Sequence, residues 1–72
     1  MRMIQEDLIR QRLNDPRVLS IVVKESNTGV DVGVEIKGSE KHVRRIAAEH
    51  FDVDSVLESA DAPTHAMLRP KW

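Results

Sequence analysis

The sequence predicts a small α+β domain in which two helices pack on one face of a three- or four-stranded sheet. Three observations predict this class. Residues 30–37 alternate apolar and polar positions, a β-branched run lies just before them, and a stretch of good helix formers stands on each side of the pair. The predicted order is helix, strand, strand, helix, strand. Residues 62–72 form either a last strand or a flexible tail, and we treat residues 1–72 as one domain.

The first helix is predicted over residues 3–13, where good helix formers occur without glycine or proline. Its apolar positions spread over about half of the helix wheel, which predicts packing on two sides or contact with another chain. These positions are Ile4, Leu8, Ile9 and Leu13. Pro16 ends the helix, because a residue before proline avoids the helical conformation.

A β-hairpin is predicted next, with strands over residues 17–25 and 30–37 and a turn over residues 26–29. In the first strand, one face carries Leu19, Ile21 and Val23, and the other carries Val18, Ser20 and Val22. In the second, the valines and Ile36 point to the core. Gly33 falls on the opposite face, where a β-bulge is the favoured explanation and close approach of another backbone the alternative.

The second helix begins after Ser39, a good N-cap residue, and is predicted to end near Asp52. On its wheel Val43, Ile46, Ala47, His50 and Phe51 share one arc. A third strand is predicted over residues 53–60, and Ala62-Pro63 is predicted to break it.

Composition excludes several classes of function. The 72 residues include 11 basic and 12 acidic side chains, giving a net charge of −1, and no cysteine. Bulk charge therefore does not drive binding to nucleic acid or to an anionic membrane. The first residues lack the apolar core of a signal peptide, and no run reaches the length of a membrane span. We expect a cytoplasmic chain with no membrane contact and no cofactor.

Two segments resemble known families. Residues 29–56, GVDVGVEIKGSEKHVRRIAAEHFDVDSV, resemble a BON domain in the alternating strand, the helix and the spacing of Val53 and Val56. BON domains are common on exported proteins, and the resemblance implies phospholipid contact. Residues 13–23, LNDPRVLSIVV, look like the helix-to-strand passage of ribosome-binding factor A, a KH-like protein. Residues 38–41 lack the second glycine of a KH loop. We assign the chain to neither family.

A basic segment at the start of the second helix is the candidate site for an anion or a nucleic acid, because a helix N-terminus attracts negative charge. Its residues are Lys37, Ser39, Lys41, Arg44 and Arg45. The ordinary interpretation is a solvated helix face, which we favour. The hairpin also lacks aromatic residues on which bases would stack.

Metal binding and catalysis find little support in the sequence. The histidines 42, 50 and 65 do not form a closely spaced ligand pair with each other or with Glu49. The acidic stretch from Asp52 to Asp61 lacks the cleft that would shift carboxyl pKa values. We expect no metal site and no enzymatic activity.

Protein–protein contact is the function that the sequence favours. The first strand is apolar on both faces, and an exposed edge of this kind must be covered by a partner, by a second copy or by the tail. We predict a non-catalytic interaction module that binds a protein partner, or itself, through a sheet edge or an apolar helix flank. The candidate contact residues are Val18, Ser20, Val22, Leu68 and Trp72. A KH-like nucleic-acid or anion-binding module is the alternative.

Overall fold

A computed structural model describes the backbone of residues 2–72 and the side chains of residues 6–72. Two helices and four strands follow in the order α1 Arg2–Arg12, β1 Val18–Ser26, β2 Gly29–Ile36, α2 Glu40–Ala47, β3 Phe51–Ser59 and β4 Ala62–Pro70. The predicted α+β class is confirmed, and residues 62–70 form the fourth strand. The predicted contribution of Ile4 to the apolar arc lies outside the described side chains.

The four strands form one antiparallel sheet in the order β1-β2-β4-β3. Chain order therefore divides the protein into two αββ units, each a helix followed by a hairpin. Both hairpins have two-residue turns, between Ser26 and Gly29 and between Ser59 and Ala62. The units are joined by the β2–β4 ladder, which pairs Val32–Ile36 with Thr64–Leu68.

Both helices pack on the same face of the sheet and enclose one core. On the helix side it includes Ile9 of α1, Leu13 in the turn just after α1, and Val43 and Ala47 of α2, all at most 1% exposed. The sheet contributes Val32, Val34, Ile36, Phe51, Ala66 and Leu68. The alternation predicted for β2 is thus correct, because one face of this strand meets the helices and the other does not.

A β-bulge in β1 corrects the predicted facing of its first residues. The register shifts between Val18, which pairs with Ile36, and Ser20, which pairs with Glu35. Val18 consequently packs against the core, whereas Leu19 is 53% exposed. The bulge is not at Gly33, which pairs regularly with both Val22 and Met67. The favoured explanation of Gly33 is therefore wrong.

Helix α2 is shorter than predicted. The backbone N–H of Ala48 still donates to the Arg44 carbonyl, as in a helix. The helix ends here because Ala48 itself adopts a positive φ of 46°. His50 lies in the following turn and Phe51 begins β3, so neither continues the helical arc as predicted. Pro63 does not break the sheet, because Pro63 and Pro70 lie near the ends of β4, outside the segment that pairs with β2.

Candidate functional site

The face of the sheet opposite the helices carries the most distinctive surface of the described chain. We call it the open face. Cross-strand pairing arranges its side chains in three rows running from β1 through β2 and β4 to β3. The first row is Lys24, Asp31, Arg69 and Asp52; the second is Val22, Gly33, Met67 and Ser55; the third is Ser20, Glu35, His65 and Leu57.

The middle of the open face is apolar and concave. Val22 is 52% exposed and Leu57 69% exposed, although both are large aliphatic side chains. Between the strands that carry them, Gly33 has no side chain, and Met67 leans over it: a Cβ at Gly33 would lie 3.4 Å from Met67 Sδ. A groove of about 480 Å³ results. Its lining includes Val22, Gly33, Leu57 and Met67.

The first row forms a charged border along one side of this apolar centre. Arg69 Nε lies 2.9 Å from Asp54 Oδ2 and 3.4 Å from Asp31 Oδ1. Lys24 pairs across the strands with Asp31. These side chains are about half exposed, so each ion pair adds little stability but fixes the position of a charge.

The third row forms the opposite border around Glu35. Ser20 Oγ donates to Glu35 Oε1 at 2.7 Å, and His65 Nε2 lies 3.2 Å from Glu35 Oε2. Leu57 stands beside His65 on the outer strand β3. Both borders therefore place an acid on β2 and a basic side chain opposite it on β4.

The predicted partner-binding residues do not form one surface. Ser20 and Val22 lie on the open face, but Val18 packs on the helix side and Leu68 is 1% exposed in the core. These two predicted residues therefore lie apart from the open face, because the bulge turns Val18 inward and the β4 register points Leu68 toward the helices.

Trp72 lies apart from the open face, at the end of the core. Its ring meets Phe51 edge-on at a centroid distance of 5.3 Å, and the Arg12 guanidinium lies 5.5 Å from its centroid. Arg12 Nη1 also approaches His50 Nδ1 at 2.7 Å. Trp72 thus has a structural contact that covers Phe51, although its side chain remains 47% exposed.

The predicted basic site at the start of α2 is partly neutralised. Glu40, the first helical residue, pairs with Arg44 at 2.6 Å and places a carboxylate at the helix N-terminus. Ser39 donates its backbone N–H to His42 Nδ1 at 3.2 Å. Lys37, Lys41 and Arg45 are exposed. Glu40 thus adds a carboxylate to the predicted basic segment, where it is paired with Arg44.

Leu57 and Met67 were not among the contact residues predicted from the sequence. Leu57 was placed in a predicted third strand without a facing, and Met67 in an uncertain tail. The signal that pointed to this surface was Gly33, a glycine in an otherwise regular strand. Its partners became visible only when the β2–β4 register was known.

Within the described residues, no three His, Asp or Glu side chains are grouped as a metal site would require. None of the described helices is long and apolar enough to cross a membrane. Comparison of the chain with protein-family models, with curated proteins and with solved structures finds no match.

Proposed function

We propose that this chain is a non-catalytic protein-binding module whose docking surface is the open face of the sheet. The observation that carries the proposal is the exposed apolar centre between two bordering rows of charge. Small proteins ordinarily keep large aliphatic side chains off a sheet face unless that face is covered. Here Val22 and Leu57 stand exposed beside a groove of about 480 Å³.

The open face has the anatomy of an interface. Apolar contact at the centre supplies binding free energy, whereas charges at the border select and orient the partner. The borders are already ordered by the contacts of Arg69 with Asp31 and Asp54, and of Glu35 with Ser20 and His65. Because these side chains sit on paired strands, little conformational entropy remains to be lost on binding.

This proposal moves the docking surface away from the sheet edge and helix flank expected from the sequence. Strand β1 is an edge strand, but its bulge and Lys24 are two features by which proteins discourage strand addition. The apolar arc of α1 is largely used inside the molecule, since Ile9 and Leu13 are buried in the core.

Nucleic-acid binding is the competing outcome. The open face carries no aromatic side chain for stacking and mixes acids with bases. At the start of α2, the Glu40 carboxylate would repel a phosphate from the helix N-terminus.

Site-specific photo-crosslinking in cells tests the proposal. A diazirine-bearing amino acid replaces Leu57 in one variant and Lys41 in a matched control, since both positions are exposed and lie on opposite faces of the fold. We expect protein adducts from position 57 and far fewer from position 41, with circular dichroism confirming that both variants fold. Adducts to nucleic acid from position 41, or equal yields at both positions, would contradict the proposal.

A further inference from the structure

The open face carries a charge pattern that is complementary to itself. From β1 to β3 the first row reads base, acid, base, acid: Lys24, Asp31, Arg69, Asp52. In the opposite direction, from β3 to β1, the same row has an acid wherever the first direction has a base, and a base wherever it has an acid. The third row does the same at its centre, where Glu35 on β2 stands opposite His65 on β4.

A second copy can use this pattern if the two open faces stack on each other about a two-fold axis. The axis runs parallel to the strands, midway between the two sheets, and passes between β2 and β4. Rotation about it leaves each row at the same position along the strands and reverses the order of the residues within the row. Lys24 then faces Asp52 of the second copy, and Asp31 faces Arg69 of the second copy. Glu35 meets His65 in the same way, so the charged positions bring opposite signs together.

The middle row brings apolar side chains together under the same rotation. Met67 of each copy lies opposite Gly33 of the other, and because each Met67 already leans over Gly33 of its own chain, the two flexible thioether side chains meet at the centre of the contact. Leu57 comes to lie over Ser20 and beside Val22 of the second copy, at the rim of its groove. Aligned packing of two sheets at about 10 Å accommodates such interdigitated side chains.

The other in-plane axis, perpendicular to the strands, produces no such match. It would exchange the first row with the third and place the Asp31 carboxylate opposite the Glu35 carboxylate, with Arg69 opposite His65 and no acid opposite either. Two carboxylates facing each other are unfavourable at an interface. The charge pattern therefore selects one of the two symmetric arrangements.

We propose that the occupant of the open face is a second copy of this chain, bound sheet to sheet about a two-fold axis parallel to the strands. This rests on the proposed protein-binding role of the face and names the partner.

The contact is small. Four strands about 4.8 Å apart and three rows about 6.6 Å apart cover a flat area of roughly 380 Å² on each copy. Because side chains project from this area, we expect the two copies together to bury about 800–1,000 Å² of accessible surface. Interfaces of this size are weak and exchange readily, and we expect a dissociation constant on the order of 100 µM.

Sedimentation equilibrium of the purified chain across a wide concentration range tests the proposal. The wild-type chain is expected to shift from monomer to dimer. Leu57→Glu places a charge at the rim of the groove in each half of the contact, and we expect it to weaken the dimer at least about tenfold. Lys41→Glu, on the helix side of the fold, serves as the matched control and leaves the equilibrium unchanged.

A charge swap identifies the arrangement. Lys24 and Asp52 lie on opposite edges of one sheet, too far apart to pair within a chain, and meet only across the proposed interface. Lys24→Glu alone is expected to weaken the dimer about three- to tenfold, because each dimer contains the altered contact twice. Asp52→Lys alone does the same and also removes the exposed contact of Asp52 Oδ1 with Lys71 Nζ at 3.9 Å, which contributes little. The double variant is expected to restore the association.

Failure takes two distinct forms. A dimer that ignores Leu57→Glu, or one that the double swap does not restore, overturns this arrangement. A chain that stays monomeric at millimolar concentration overturns self-association itself. In that case protein adducts from position 57 would still support the proposed function with a different partner, whereas their absence would end both proposals.

Discussion

Two glycines hold backbone conformations that other residues rarely adopt, and their surroundings differ. Gly29 has a φ of 136° with no atom within 4 Å of a Cβ placed there, whereas Gly38 has a φ of 141° and such a Cβ would lie 2.8 Å from His42 Nδ1. The Gly38 carbonyl also accepts a hydrogen bond from buried Thr64. Gly38 therefore fixes the approach of α2 to the sheet, while Gly29 only closes a turn.

This difference predicts unequal costs for the same substitution. Gly29→Ala meets only backbone strain and should lower the free energy of unfolding by about 1–2 kcal/mol. Gly38→Ala adds a steric conflict with His42, and we expect a loss of about 2–4 kcal/mol. Urea denaturation of both variants measures the difference. Equal losses would mean that His42 moves aside without cost.

At the scale of single residues, the sequence indicated which positions are unusual but not the contacts that explain them. Gly33 was recognisable as an exception in a regular strand, but its explanation lies in Met67, a residue distant in the chain that meets it through the β2–β4 ladder. Leu68 was chosen as a contact residue because the loose alternation of residues 64–72 separates two sides without showing which of them faces the core. A strand pattern assigns faces only once its neighbours are known.

At the scale of elements, the bulge in β1 decides which side chains the strand buries. One extra residue between Val18 and Ser20 moves Val18 to the core side and leaves Leu19 in solvent. Strict alternation predicts the opposite for both residues, because the side-chain period of a strand is two and one insertion inverts it.

The bulge predicts that neighbouring aliphatic residues differ in importance. Leu19→Thr should change the free energy of unfolding by less than about 0.5 kcal/mol, since Leu19 is 53% exposed. Ile21→Thr removes a side chain that packs against the core and should cost about 1–2 kcal/mol. Thermal or urea unfolding distinguishes the two. A loss at Leu19 as large as the loss at Ile21 would argue for an unbroken alternation, in which both residues share the buried face.

The elements themselves were largely predictable, and their ends were not. Strand β2 was recognised because its alternation is complete over Val30–Ile36. Helix α2 was extended too far because the stop is a left-handed alanine, Ala48, where helices more often use glycine. Strand β4 was left undecided because its alternation is loose and it lies at a terminus, where either a strand or a disordered tail fits the sequence.

At the scale of the whole molecule, the sheet has one covered face and one uncovered face. A chain of 72 residues has a single small core and little stability to spare. Ligand or partner binding to the folded state adds to that stability by mass action. Covering the open face would therefore matter more here than in a larger protein.

Self-association through the open face predicts a melting temperature that depends on concentration. Raising the chain concentration from about 5 to about 500 µM should raise the midpoint by about 3–6 °C, because only the folded chain dimerises. Differential scanning calorimetry measures this rise. Leu57→Glu should reduce this rise to about 1 °C, because its dimer is at least about tenfold weaker. A rise as large as that of the wild-type chain would place the contact elsewhere.

The fold class followed from the order of patterns along the chain, but the docking surface did not. Its three rows combine residues from all four strands, and only the register places Lys24, Asp31, Arg69 and Asp52 in line. Sequence neighbours of these residues point into the core, so no local segment displays the charge pattern. A surface that combines residues from strands distant in sequence can be described only when the register of those strands is known.

The division into two αββ units has a consequence for how the chain folds. Each hairpin closes over two residues, so both form from local contacts at small entropic cost. Of the three ladders, only β2–β4 joins strands that are distant in sequence. We expect its formation to be the step in which the two αββ units associate, and to be slower than hairpin formation. A break between Lys37 and Gly38 would leave each unit complete, and the two fragments would need only this ladder and the shared core to reassemble.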